Sequence, residues 1–196
     1  MIELINPYFS FQKDVGFLQI KQWIFDTKNK TISNIWITAF YIHVFTSILA
    51  LVAGFTQFNK VFINTDTHRN VGKLYIIIIL LLAGPTGFIM GILANGGIIS
   101  IVSFMLLSLL WWIYTYKAFQ YIKQKKYELH SKYMFRSYAL TLSAITLRFW
   151  KFIIVNYITE LSPMEIYQVV SWLGWIPNLI VAEILIIHKF HIKNLN

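Results

Sequence analysis

The chain has 196 residues, of which 57% are hydrophobic and only 13% charged. A soluble domain carries roughly a quarter charged residues, so this composition excludes an ordinary soluble protein. The net charge is +9 and there is no cysteine, which excludes disulfides, thiolate catalysis, iron–sulfur clusters and zinc–thiolate sites.

The first 33 residues mix charged residues with aromatic and apolar ones. Met1 to Lys30 contains no continuous apolar core, so we do not expect a signal peptide there. Aromatic rings are favoured at the membrane surface, and we expect part of residues 1–33 to form a helix lying in the interface.

Five apolar stretches follow, each about the twenty residues needed to cross a bilayer. They are too long and too uniformly apolar for barrel strands, so they predict helices. The spans are expected at Asn34–Phe58, Val71–Asn95, Gly97–Tyr121, Tyr133–Ile158 and Glu165–Lys189. The sequence therefore predicts an all-α integral membrane protein. Residues 1–33 form an interfacial segment, residues 34–189 a bundle of five transmembrane helices, and residues 190–196 a cytoplasmic tail.

Basic residues gather on one side of the predicted bundle. Eleven lie at the first and third connections and in the tail: Lys60, Arg69, Lys73, Lys117, Lys123, Lys125, Lys126, Lys132, Arg136, Lys189 and Lys193. The opposite connections carry Glu160 and Glu165 instead. The positive-inside rule places the C-terminus in the cytoplasm and the N-terminus outside, in what we expect to be a bacterial inner membrane. Anionic lipid explains the positive charge, and nucleic acid is not an expected partner.

Polar residues inside membrane spans are costly, so they are the first candidates for a functional site. Small and polar residues recur at helical spacing in four spans, an arrangement that serves close helix packing or makes room for a flat cofactor. Arg136 and Glu183 fall in the cytoplasmic half, where an ion pair between them is expected. His43, Arg148 and Asn178 fall near mid-depth and are expected to form one polar cluster.

Five histidines raise the question of haem or a metal. His43 is expected near mid-membrane, whereas the other four are expected at the cytoplasmic rim: His68, His130, His188 and His191. Bis-histidine haem needs two imidazoles at one depth on different helices, and His43 has no such partner in this sequence. His43, His68 and His130 are the candidate metal ligands.

Four strings together resemble a known family. They are His43 with Ser47–Gly54 and Gln57; His68-Arg69 with Gly72 and Tyr75; His130 with Tyr133–Thr141 and Thr146–Arg148; and Trp172–Asn178 with Glu183. Their order and spacing, over roughly Trp36 to Glu183, resemble the predicted membrane-protein family called domain of unknown function 2306.

The resemblance implies a membrane protein without an assigned activity. It also implies that the family's polar pattern matches His43, Gln57, His68, Arg69, Gly72, His130, Arg136, Arg148, Asn178 and Glu183. Apart from Gly72, these are our candidate cofactor-binding residues. Family members often carry a further N-terminal span, and we expect none in this sequence.

Three hypotheses for function follow. The first is a small membrane subunit whose buried polar and histidine site binds b-type haem or a quinone for electron transfer. The second is a non-enzymatic structural or assembly subunit of a larger membrane complex or homo-oligomer. The third is a small carrier or channel, in which Pro85 and Pro177 mark broken helices. No Ser–His–Asp or His–Glu–x–x–His arrangement is visible, so we expect no independent catalytic activity.

Overall fold

The computed structural model describes residues 21–26, 29–57, 65–158 and 161–192, without the side chains of 189–192. Over these residues it is helical, with no strand. The helices are α1 Gln22–Phe25, α2 Lys30–Gln57, α3 Asp66–Ile77, α4 Gly84–Ile92, α5 Gly97–Lys123, α6 Tyr127–Thr141, α7 Ser143–Tyr157, α8 Pro163–Leu173 and α9 Ile176–Ile192, with a π-helix at Ile78–Ala83 between α3 and α4.

Five stretches of the described residues are long and apolar enough to cross a membrane. We call them spans 1 to 5: Lys30–Gln57, Asp66–Ile92, Gly97–Lys123, Tyr127–Tyr157 and Pro163–His188. The prediction of an all-α membrane protein with five spans is therefore confirmed.

The ends of the spans differ from those expected by up to six residues. Span 2 begins at Asp66, so that His68 and Arg69 lie in its first turn instead of in a loop. Thr65 caps this helix, since its hydroxyl accepts the His68 N–H at 3.2 Å. Span 4 begins at Tyr127, and α9 continues to Ile192, into the expected tail. Hydropathy underestimates the length of these helices, because their end turns are polar and extend beyond the apolar core.

Several expectations concern residues outside those described. They are most of the interfacial segment (residues 1–20), the charges of Lys60, Glu160, Lys189 and Lys193, the side chain of His191, and residues 193–196.

The chain divides into two compact units, Met1–Thr38 and Ala39–Asn196. In the first unit, the Lys21 ammonium lies 5.4 Å from the ring centroid of Trp23 and 5.6 Å from that of Trp36. Phe25 meets Trp36 edge to face. These ring contacts join α1 to the first turns of α2.

In the second unit, span 2 is interrupted by its proline. A π-helix bonds each N–H to the carbonyl five residues back, as Gly84 N–H does to Ile79 O. The next donor in that register would be Pro85, which has no N–H. Its acceptor would be Leu80 O, and the indole Nε1–H of Trp112 in span 3 donates to that carbonyl at 2.9 Å. A neighbouring span thus supplies the hydrogen bond that Pro85 cannot make.

Spans 4 and 5 are interrupted where they meet. Span 4 breaks at Leu142 and span 5 between Leu173 and Ile176. The Thr146 hydroxyl donates to the Gly174 carbonyl at 2.5 Å. The Asn178 amide donates to Thr146 Oγ1 at 2.9 Å and to the Ala139 carbonyl at 3.1 Å. Side chains of each span therefore bond the carbonyls at the break in the other.

A buried set of polar side chains joins spans 2, 3 and 4. Tyr75 OH lies 2.9 Å from Ser137 Oγ and 2.7 Å from Thr141 Oγ1. Thr115 Oγ1 lies 2.7 Å from Ser137 Oγ, and Trp111 Nε1–H donates to Thr141 Oγ1 at 3.0 Å. Thr115 also donates to the Trp111 carbonyl at 2.7 Å. We call these five residues the hydroxyl circuit.

One arrangement of hydrogens satisfies every donor of the hydroxyl circuit. Trp111 donates to Thr141, Thr141 to Tyr75, Tyr75 to Ser137, and Ser137 to Thr115, which donates back to the Trp111 carbonyl. All five residues are buried, with Tyr75, Thr115 and Ser137 at 0% exposure. A fully satisfied buried network fixes the rotation of each helix that contributes to it.

Tyr75→Phe removes the hydroxyl at the centre of the circuit. We expect a loss of about 0.5–2 kcal/mol in the free energy of unfolding, because Ser137 and Thr141 each lose a partner in an apolar interior. Thermal unfolding of the purified protein in detergent measures this loss. Tyr157→Phe is the matched control, since Tyr157 is 77% exposed. An equal Tm for the two variants would contradict the role assigned to the circuit.

Candidate functional site

His43 lies near the middle of span 1, against the interrupted part of span 2. Its Nδ1 is 2.8 Å from the carbonyl oxygen of Ala83. A Cβ added to Gly87 would lie 2.8 Å from Cε1 of the imidazole, so the ring occupies the space that the missing side chain leaves. The Trp111 ring meets the imidazole nearly edge to face, at 6.4 Å between centroids.

This contact determines the tautomer of His43. A backbone carbonyl only accepts hydrogen bonds, so Nδ1 carries the proton and donates to Ala83 O. In the neutral ring, the lone pair then lies on Nε2. An imidazole oriented through Nδ1–H with Nε2 available is the arrangement that metal-ligating histidines usually have.

His130 has the same arrangement at the other candidate position. It lies in the first turn of span 4, and its Nδ1 is 2.8 Å from the carbonyl oxygen of Ala118 in span 3. By the same argument Nδ1 is the donor and the lone pair lies on Nε2. Span 3 thus orients His130 as span 2 orients His43.

Gln57 contacts the backbone of span 2 beside His68. Oriented so that its oxygen and nitrogen are both satisfied, its amide donates to the His68 carbonyl at 3.2 Å and accepts the Gly72 N–H at 3.3 Å. At 1.5 Å per residue, His43 and Gln57 are about 21 Å apart along span 1. The surroundings of His43 and those of Gln57 are therefore two separate places in the bundle.

The expected ion pair between Arg136 and Glu183 is present. The guanidinium donates twice to the carboxylate, from Nε to Oε1 at 2.5 Å and from Nη2 to Oε2 at 2.8 Å. The guanidinium carbon also lies 5.0 Å from the centroid of the Tyr133 ring. This bidentate pair joins the part of span 4 before its break to the part of span 5 after its break.

The expected cluster of His43, Arg148 and Asn178 is not formed, because each side chain bonds elsewhere. Arg148 is exposed, and its guanidinium donates to the carbonyl of Ala144, one turn back in its own helix. Asn178 bonds at the break in span 5. The direction in which each side chain points depends on the rotation of its helix, which the estimate of depth did not include.

Arg69 forms an exposed i,i+3 ion pair with Asp66 at 3.3 Å. The nine candidate residues are thus distributed over several places and do not line one site. Among the described residues, no group of three or more His, Asp or Glu side chains is placed to hold a metal ion.

Three residues of the hydroxyl circuit were not among the predicted site residues: Tyr75, Trp111 and Thr115. Trp111 and Thr115 are four residues apart in span 3, and Ser137 and Thr141 have the same spacing in span 4. Two polar pairs at one helical turn on adjacent spans are a signal that could have found them. The recurrence of small and polar residues at helical spacing was noted only in spans 1, 2, 4 and 5, so span 3 was not considered.

Comparison with known proteins agrees with this architecture. The sequence profile of a family described as predicted membrane protein (DUF2306) matches residues 40–186. The chain belongs to this family. The match begins in span 1 and ends in span 5, and includes both oriented imidazoles, Gln57 and the Arg136–Glu183 pair, so the resemblance is confirmed. No curated protein and no solved structure matches the chain.

Two arginines of span 4 provide a matched test of the site. Arg136→Leu leaves Glu183 without its partner, and we expect it to lower the free energy of unfolding by about 1–3 kcal/mol. That is less than for a fully buried pair, because the Glu183 side chain is 41% exposed. Arg148→Leu is expected to change it by less than about 0.5 kcal/mol.

Thermal unfolding in detergent measures both variants. Adding Glu183→Leu to Arg136→Leu should restore part of the loss, since the unpaired carboxylate is removed. Equal losses for Arg136→Leu and Arg148→Leu would contradict this reading.

Proposed function

We propose that this protein is a small multi-pass membrane subunit whose histidines bind a b-type haem for electron transfer. The observation that carries the proposal is the orientation of two imidazoles on different spans. His43 and His130 each donate Nδ1–H to a backbone carbonyl of a neighbouring span and keep the Nε2 lone pair.

These residues fit an axial ligand of haem iron. Axial histidines bind iron through one ring nitrogen, and a hydrogen bond to the other fixes the ring and raises its basicity. Both carbonyls are held within helices that other side chains stabilise, so the imidazoles are oriented before any ligand arrives. A bound haem would supply a one-electron carrier, and the chain would supply the axial nitrogen, its orientation and an apolar surrounding.

A quinone is the alternative redox partner. Its carbonyl oxygens would need donors, and the donors seen at His43 and His130 already bond to backbone carbonyls. Haem requires acceptor lone pairs from the protein and therefore suits these two rings better.

A non-enzymatic structural or assembly subunit is the second candidate. It is favoured by the use of intramembrane polar groups in bonds between spans, as in the hydroxyl circuit and at Asn178. Side chains of neighbouring spans already bond carbonyls at the interruptions in spans 2, 4 and 5, which argues against a carrier that uses such carbonyls to coordinate a transported ion.

We propose that the connection between spans 3 and 4 faces the cytoplasm of a bacterial cell, with the N-terminus outside. The basic residues near that connection support this orientation: Lys117, Lys123, Lys125, Lys126 and Lys132. The outer end of span 5 carries Met164 and Glu165.

The absence of cysteine from the chain makes the orientation directly testable. In intact bacterial spheroplasts, Met164→Cys should react with a membrane-impermeant maleimide, whereas Lys126→Cys should react only after lysis. Both positions are exposed on the protein. The reverse pattern of labelling would contradict the proposed orientation.

Optical absorption of the purified protein tests the haem proposal. Protein made with adequate haem supply should show a Soret band, with sharpened α and β bands after reduction by dithionite. Replacing His43, His68 and His130 together by alanine should abolish the bands, whereas His188→Ala at the exposed end of span 5 should keep them. A featureless visible spectrum of the unaltered protein would contradict the proposal that it binds haem.

A further inference from the structure

His68 and His130 occupy equivalent positions at one end of the bundle. Each lies in the first turn of its span, His68 in span 2 and His130 in span 4. Spans 2 and 4 cross the membrane in the same direction, so their first turns lie at the same face. Two turns after each histidine, on the same face of its helix, Tyr75 OH lies 2.9 Å from Ser137 Oγ, so the helix faces that carry the two imidazoles meet.

Different neighbours hold the His130 ring and the His68 backbone in place. Span 3 orients the His130 imidazole through the Ala118 carbonyl. Span 1 fixes the backbone of His68, since the Gln57 amide bonds both its carbonyl and the Gly72 N–H one turn later. The Thr65 hydroxyl accepts the His68 N–H from the other side. Spans 1 to 4 therefore all contribute to the relative position of the two imidazoles.

We propose that His68 and His130 are the two axial ligands of the haem iron, at the end of the bundle where spans 2 and 4 begin. This proposal rests on the proposed function and names the ligand pair. Both imidazoles are expected from the sequence at the cytoplasmic rim, and only His43 is left without a partner at its own depth.

The number of ligands favours haem over a free metal ion. A structural zinc ion takes four protein ligands, whereas a six-coordinate haem iron takes two. The described residues place no third histidine, aspartate or glutamate with this pair. Two imidazoles on separate helices match the requirement of haem.

The charge at this end of the bundle suits the propionates of haem. Arg69 lies one residue from His68, and Lys126 and Lys132 flank His130. The carboxylates nearby are already paired, Asp66 with Arg69 and Glu128 with Lys132 at 2.6 Å. An anionic edge placed at this rim would meet a surplus of positive charge.

His43 gives the contrast that makes the assignment testable. It is oriented like His130, but it lies about 21 Å along span 1 from Gln57 and its neighbours. At that distance His43 cannot ligate the same iron as His68, so it is the competing position that the experiment must separate from this pair.

The test is haemin titration of the full-length apoprotein in detergent, followed by absorption, near-infrared and electron paramagnetic resonance spectra. The unaltered protein should bind one haemin and give the low-spin signature of two imidazole ligands. His68→Ala and His130→Ala should each give high-spin or absent haem, whereas His188→Ala should keep the low-spin signal. His43→Ala is measured beside them as the variant of the competing ligand.

Two further measurements separate ligand loss from misfolding. Millimolar imidazole added to His68→Ala or His130→Ala should restore the low-spin signal, because it fills the vacated coordination position. His130→Met should leave haem bound but change the near-infrared band and raise the midpoint potential, as expected when a thioether replaces an imidazole.

Each alternative result has a definite meaning. Low-spin haem that survives both His68→Ala and His130→Ala overturns the assignment. Haem lost only in His43→Ala overturns it too, but leaves the proposed function standing. No haem in the unaltered protein overturns both. A protein that takes up no haemin but gives cobalt(II) ligand-field bands at His68 and His130 would indicate a different ligand. The pair would then bind a free divalent ion instead of haem iron.

Discussion

The need to satisfy backbone groups in the absence of water is the constraint on which this bundle depends. A helix in lipid satisfies its own carbonyls only while it is regular, and three of the five spans are irregular. At each break, a side chain from a neighbouring span supplies the missing bond: Trp112 at Leu80, Thr146 at Gly174 and Asn178 at Ala139. The interruptions thus determine which spans must be neighbours, and apolar packing follows from that choice.

This constraint also explains where the imidazoles come to lie. His43 bonds the carbonyl of the last residue of the π-helix, directly before the turn that contains Pro85. In a regular helix that carbonyl would accept an i→i−4 hydrogen bond, and a side chain such as His43 would compete poorly with it. The irregular segment is therefore part of the histidine environment, and the hydroxyl circuit fixes the rotation of span 3 beside it.

The sequence predicted the features that depend only on the position of a residue along its helix and on its charge. Span number and approximate span position follow from hydropathy and length, and the Arg136–Glu183 pair follows from depth and opposite charge. The positions of Arg148 and Asn178 could not be predicted, because they depend on the rotation of each helix about its axis. Tyr75 was missed because a tyrosine near a span end resembles an interfacial anchor. The placement of His68 relative to His130 depends on which spans are adjacent, and no pattern within a single span specifies that.

The aligned breaks in spans 4 and 5 have a mechanical consequence. The halves before and after the breaks pair with each other, α6 with α9 and α7 with α8. Because the two breaks lie side by side, spans 4 and 5 can bend together about a common axis, at little cost to the packing within either half. The Thr146–Asn178 contact is the pivot of that axis. Bending of the α7–α8 pair by a binding partner or by a change in bilayer thickness would therefore leave the end that carries His130 undisturbed, and would insulate a centre held there from deformation at the opposite face.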